Sequence, residues 1–180
     1  RTLIIRKDGT VLKRTQMNLP GGSQHSQSSR SSYTIFDCIY EESSSTLWAL
    51  DMMVWKKFLY YDCTADFRFF FMHQKLEEGD VSTVSPKNKF AMKPLPFYNC
   101  DEAGLKDTLA MNPAHVLMYH SQSLYEIEDE TSPLMLVAST PKFQEILSSS
   151  SRCVYSNHQT ICLKIYIRNR YYAWRSVLLV

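Results

Sequence analysis

Two runs decide the fold. They are Tyr33-Thr34-Ile35-Phe36-Asp37-Cys38-Ile39-Tyr40 and Thr46-Leu47-Trp48-Ala49-Leu50-Asp51-Met52-Met53-Val54-Trp55. Both are rich in β-branched, aromatic and other apolar residues, and the polar segment Glu41 to Ser45 between them reads as a turn. They are therefore expected as an antiparallel pair of strands. Phe58 to Tyr61 follows as a short aromatic strand. Thr64 can cap a helix running to about Leu76, because its hydroxyl can accept from the free amides of the first turn. On that helix Phe67, Phe70 and Phe71 share one face at helical spacing, which predicts that face as core. Gly79 ends the segment.

Upstream, Arg1 to Ile5 is a short apolar strand, and Asp8-Gly9 is a turn signal that returns Thr10 to Leu12 as a second strand. Leu19-Pro20-Gly21-Gly22 closes this unit, and the serine-rich Ser23 to Ser32 reads as loop. Downstream, Asp80 to Asn88 is polar loop. Asp101 or Asn99 can cap a helix through Met111, which Pro113 stops. Val116 to Tyr119 and Pro133 to Ala138 read as strands, with the acidic turn or hairpin Ser121 to Glu130 between them. Pro141 to Leu147 is a short helix, and Ser148 to Ser151 breaks the pattern. Long antiparallel strands with inserted helices define an α+β domain over 1–147, followed by a tail over 148–180.

The 180 residues carry 20 Lys and Arg against 18 Asp and Glu, a net charge of +2. The chain is therefore no polycation, and bulk charge does not drive it onto nucleic acid. A local site for one phosphorylated ligand remains. The apolar share of 44% supports a real core, and no apolar run approaches the ~20 residues of a membrane-spanning helix. An odd number of cysteines with no CxxC pair fits a reducing, intracellular compartment. Cys38, Cys63 and Cys100 are expected as buried structural thiols. The chain starts at Arg1 within a strand and reads as a fragment.

Most enzyme signatures are absent: GxGxxG, the Walker loop, GxSxG, HExxH and zinc spacings. No catalytic residue, metal or cofactor is expected. His73 is expected as a hydrogen-bonded surface or boundary residue. Arg6-Lys7-Asp8-Gly9, Thr34-Ile35-Phe36-Asp37, Leu117-Met118-Tyr119 and Pro133-Leu134-Met135 occur in an order that resembles the nucleotidyltransferase fold of capping enzymes and ligases. In that fold the lysine of a Lys-x-Asp-Gly pattern attacks the nucleotide phosphate. Arg6 holds that position here, and a guanidinium stays protonated and cannot attack. Lys7 points to the opposite strand face. Ile39 replaces the second acid of the Asp-x-Glu pattern begun by Asp37, His115 stands where a metal-binding acid is expected, and Leu134 to Ala138 carries no late lysine. The resemblance thus implies a nucleotide-binding frame without covalent catalysis.

Leu19-Pro20-Gly21-Gly22, Tyr33 to Tyr40, Leu50 to Trp55, Tyr61-Asp62-Cys63 and Asp66 to Leu76, taken in order, resemble the snurportin family. This resemblance implies a domain, incomplete at its start, that binds the trimethylguanosine cap of small nuclear RNA. It implies an adaptor that carries small nuclear ribonucleoprotein between cytoplasm and nucleus, with importin β docking a segment upstream of Arg1. No membrane role is implied. Aromatic rings hold the methylated guanine by stacking and cation–π attraction, and basic side chains neutralise the triphosphate. Arg1 matches a phosphate-contacting arginine, and Lys13, or alternatively Arg14, matches the second phosphate contact. Val137 falls where the family places a cap-stacking tryptophan. Trp48 and Trp55 match core positions, and Trp174 could supply a ring only if the tail folded back. Two rivals stand beside this reading: an active nucleotidyltransferase using Lys7, and a degenerate fragment without cap binding.

Overall fold

A computed structural model of the chain describes residues 1–6, 8–23, 32–125, 135–149, 161–166 and 175–179. In chain order the elements are β1 (Thr2–Arg6), β2 (Val11–Thr15), β3 (Ile35–Glu41), β4 (Thr46–Trp55), β5 (Phe58–Leu59) and α1 (Ala65–Glu78). Then follow β6 (Ala91–Pro94), β7 (Phe97–Asn99), α2 (Glu102–Ala110), β8 (His115–His120), β9 (Met135–Ser139), α3 (Thr140–Ser149), β10 (Ile161–Tyr166) and β11 (Arg175–Leu179). The expected α+β class is what forms. Lys7, most of the serine-rich loop, Pro133, the far end of the acidic turn and Trp174 lie outside the described residues. No described helix is long and apolar enough to cross a membrane.

The chain divides into two compact units. The first comprises 1–62, 67–94 and 171–180. Its sheet runs β2-β1-β11-β3-β4-β5, with β6 beside β4. All pairings are antiparallel except β4 with β6. The β3–β4 pair expected from sequence forms as read, from Ile35 opposite Val54 to Glu41 opposite Thr46, with two register shifts that bend the ladder. Ile4, Phe36, Cys38, Leu47, Ala49 and Met52 build one core with Met72 and Leu76 of α1. Trp55 lies in it, edge-on to Phe36 at 6.2 Å. Trp48 is only half-buried, its indole N–H donating to Glu41 Oε2 at 3.2 Å.

Helix α1 corrects the expected core face. The inward stripe is Ala65, Arg68, Phe69, Met72 and Leu76, all buried, whereas Phe67 and Phe70 are exposed. Phe67 stacks instead on Phe71, which stacks on Tyr60 at 4.8 Å. Both stripes have helical spacing. The inward one contains a charged residue, and that hid it from a reading by hydrophobicity alone. His73 is half-buried and has a partner.

The loop after α1 is pinned by Asn88. Its side chain accepts from the Asn18 amide at 2.7 Å and donates to the Asp80 carbonyl at 3.1 Å.

The second unit comprises 63–66 and 95–170. Its sheet is antiparallel in the order β7-β10-β8-β9. Val116, Ala138 and Phe143 centre its core, with Leu105 and Leu109 of α2 packed against them. Of the two candidate caps, Asp101 serves: its Oδ1 accepts from the Gly104 amide at 2.8 Å. Helix α3 starts a residue earlier than expected, where the Thr140 hydroxyl donates to the Pro113 carbonyl.

Gly104 is required by close approach. A Cβ there would stand 2.0 Å from the Asn99 carbonyl oxygen, which is backbone and cannot swing aside. Alanine in place of glycine ordinarily strengthens a helix by up to about 1 kcal/mol. Gly104→Ala is expected to do the opposite, lowering stability by about 1–3 kcal/mol through overpacking. Urea unfolding of the variant reads the sign directly.

The residues beyond 148, which read as a tail, supply β10 and β11. β10 pairs with both β7 and β8, and β11 with both β1 and β3.

Candidate functional site

The β1–β2 hairpin carries the sequence-derived phosphate residues. Its turn is built from what remains of the Lys-x-Asp-Gly pattern. The Arg6 amide donates to the Thr10 carbonyl at 2.8 Å, the Gly9 amide to the Arg6 carbonyl at 2.9 Å, and Gly9 takes φ +85°, which favours glycine. The Thr10 amide donates to Asp8 Oδ1 at 2.8 Å, and this bond holds the Asp8 carboxyl below its ordinary value. Asp8 and Gly9 therefore serve the turn. The Pro20-Gly21-Gly22 bend comes back to the start of β1. There the Arg1 main-chain nitrogen donates to the Gly21 carbonyl at 3.1 Å and the Thr2 hydroxyl to the Gly22 carbonyl at 3.3 Å.

The ladder register separates the two basic residues of β2. Lys13 lies opposite Ile4, and Arg14 opposite Leu3. Directly opposed residues share a sheet face, and neighbours along a strand alternate. Lys13 thus lies on the face of Ile4, a core residue, and its ammonium reaches Glu42 Oε1 at 3.4 Å. Both ends of that ion pair are largely solvated, so it contributes little to stability. Arg14 takes the face of Leu3 and, one alternation earlier, of Arg1. Both arginines are exposed. Among the described residues the Arg14 guanidinium has no ion-pair partner. Among the described residues, Arg1 and Arg14 therefore share one face of the hairpin, with Lys13 on the other.

Val137 belongs to the second unit. It sits in β9 opposite Leu117, with 53% of its surface exposed. Position 137 thus carries a half-exposed aliphatic side chain. His115, at the start of β8, is exposed. Cys38 is buried as expected, while Cys63 and Cys100 are only partly buried, and desolvation pushes the Cys100 thiol up. No group of three or more His, Cys, Asp or Glu that could hold a metal occurs among the described residues.

One charged cluster went unread in the sequence. Asp37 and Asp51 face each other across β3 and β4, both buried. Arg68 of α1 donates from Nε to Asp51 Oδ1 and from Nη2 to Asp51 Oδ2, each at 2.9 Å. The Met52 amide adds a third bond to Asp51 Oδ1 at 2.7 Å. A charged residue inside each of three apolar runs was the available signal. Asp37, which matched a catalytic acid of the nucleotidyltransferase pattern, is thereby placed beside a structural ion pair.

One largely antiparallel sheet and one fully antiparallel sheet, with three helices and an arginine-bearing edge hairpin, make up the α+β frame expected from the sequence. A family model described as Snurportin1, m3G cap-binding domain, matches residues 1–137. The chain belongs to that family, which is one of binding domains rather than catalysts. The matched span ends inside β9, at Val137, and β10 and β11 lie beyond it.

Proposed function

We propose that this chain binds the trimethylguanosine cap of small nuclear RNA without chemistry. In doing so it serves as the cap-reading part of an adaptor for nuclear import of spliceosomal small nuclear ribonucleoprotein. The family match over residues 1–137 carries this reading. Arginine at position 6, where an attacking lysine would be needed, supports its non-catalytic side. The adaptor would shuttle between cytoplasm and nucleus, with importin β engaging a segment preceding Arg1. Arg1 pairs with the triphosphate, and Lys13 or Arg14 makes the second phosphate contact. The shared face, and the lack of an ion-pair partner for Arg14 among the described residues, favour Arg14. Fluorescence titration with trimethylguanosine-capped dinucleotide against its monomethyl counterpart tests the function, and equal or absent binding of the two removes it.

Charge reversal tests the residues. Arg1→Glu and Arg14→Glu are each expected to weaken capped ligand and to flatten the salt dependence by about one counterion. Lys13→Glu is expected to do less. The opposite ranking would assign the second contact to Lys13.

Val137 tests the stacking position. A base stacked on an aromatic ring gains roughly 1–3 kcal/mol. Val137→Trp is expected to tighten trimethylguanosine cap binding by roughly 5- to 150-fold, since 1.4 kcal/mol is tenfold. Unchanged affinity would show that position 137 does not face the cap.

A further inference from the structure

Lys56 and Lys57 form a two-residue turn between β4 and β5, with Trp55 opposite Phe58. Both take positive φ, 50° and 76°. A two-residue hairpin loop calls for that conformation at both positions and ordinarily fills it with Asn-Gly. Lysine is strained there, and strain of this kind gathers at functional sites. The turn also collects exposed chemistry. Both lysines are exposed, and Lys56 has no ion-pair partner among the described residues. Phe58 is 68% exposed, and Tyr33, whose carbonyl accepts from the Lys57 amide at 3.0 Å, is 39% exposed. Neither ring stacks on another among the described residues. Ladder register places the turn at a particular end of the first unit's sheet. Arg14, Leu3, Leu179, Ile35, Val54 and Leu59 form one row across six of its strands. β1 enters that row from the side of Arg1, and β4 leaves it on the same side toward Lys56, so Arg1, Tyr33 and the Lys56-Lys57 turn share one end of the sheet. Five strand spacings separate Arg14 from Leu59, roughly 24 Å.

We propose that this turn holds the single-stranded RNA that follows the cap. Lys56 and Lys57 meet two phosphates, and Phe58 and Tyr33 offer ring faces to unstacked bases. The proposal takes its RNA from the cap reading above and extends it. Charge complementarity selects the occupant. The run from Met52 to Tyr61 carries two cations and no acid, which suits a polyanion. Exposed rings beside cations are the means by which single strands are held without reading their sequence. RNA whose triphosphate lies at Arg1 and Arg14 begins at that same end of the sheet.

The test is a fluorescence titration comparing a trimethylguanosine-capped dinucleotide with a capped single strand of about ten nucleotides. It is run on the unaltered chain and on the double variant Lys56→Asn, Lys57→Gly, which installs the residues the turn prefers. The longer RNA is expected to bind the unaltered chain at least about fivefold more tightly, the effect of one stacked base. Its salt slope should be steeper by about 1.4, two phosphates at about 0.7 each. In the double variant the steeper slope should vanish with most of the gain, dinucleotide affinity should stay as it was, and the urea midpoint should not fall. The last reading separates a lost contact from a lost fold. Phe58→Ala should remove affinity for the longer RNA and leave its salt slope. Equal affinity for the two RNAs while the dinucleotide binds overturns the proposal and leaves the cap reading standing. A double variant that keeps gain and slope overturns it as well. A dinucleotide that fails to bind removes the cap reading. The turn is then judged on an uncapped strand of the same length, whose binding must weaken in the double variant or the proposal falls too. A poly-glutamate peptide of equal charge that competes as well as the longer RNA would assign the turn to an acidic protein and overturn it.

Discussion

Removing residues 171–180 is expected to abolish the cooperative unfolding transition of the first unit. β11 stands inside that unit's sheet, with Leu3 to Arg6 on one side opposite Leu179 to Ser176, and Ile35 to Ile39 on the other opposite Leu179 to Arg175. Among the described strands, the β1–β2 hairpin joins β3 in the sheet only through β11. Each ladder hydrogen bond contributes about 0.5–1.5 kcal/mol net, and an unpaired buried group costs more. Loss of two ladders therefore takes a large part of the about 5–15 kcal/mol that holds a domain. The cut also leaves Arg1, Lys13 and Arg14 on a hairpin without its sheet neighbour, and cap binding should be lost with the fold. Cutting instead at 148 removes β10 as well, and the second sheet should fail because β10 is the strand joining β7 to β8. Urea unfolding followed by circular dichroism distinguishes the two cuts. A chain ending at 170 with an unchanged midpoint would show that β11 is dispensable.

That outcome bears on what could be read from the sequence. β4 spans Thr46 to Trp55 as read, and β3, β8 and β9 fall within two residues of their expected bounds. Each is a run of apolar and β-branched residues bounded by polar turns, so local pattern and tertiary role agree. β6 and β7 are short and flank Pro94 and Pro96, and pairing alone makes them strands. β10 and β11 went unread although Ile161-Cys162-Leu163 and Val177-Leu178-Leu179 are apolar, because their ladder partners lie far earlier in the chain and no local turn marks the pairing. The inward face of α1 was misread for a different reason: Arg68 is apolar in neither charge nor propensity, and only its partner on β4 explains its burial. At the candidate site, the resemblance pointed to the hairpin and its basic residues. Which of them share a face is a matter of ladder register, and register depends on the bulge between Ile4 and Ile5, which no local pattern announces.

Arg68→Leu is expected to destabilise the chain by about 3–5 kcal/mol, because it leaves a buried carboxylate without its counter-charge. Arg68 and Asp51 side chains are 1% and 2% exposed, so water cannot take the place of the guanidinium. Asp37 stands directly across from Asp51, so without the cation two acids would be buried side by side. Arg68→Lys should recover little, since one ammonium cannot reproduce the two parallel bonds that Nε and Nη2 make. Asp51→Asn keeps the shape and removes one charge. Combined with Arg68→Leu, it should cost less than the sum of the single changes, with a coupling of about 0.5–3 kcal/mol. Denaturant midpoints of the four chains give that cycle. Strict additivity, or an Arg68→Leu chain within about 0.5 kcal/mol of the parent, would mean that the pair is not coupled. The cluster joins α1 to the β3–β4 pair, and β11 docks on that same β3 to hold the hairpin of Arg1 and Arg14. A chain weakened at Arg68 should therefore lose cap affinity in proportion to its unfolded fraction and recover it on cooling, whereas a direct cap contact would stay weak when fully folded.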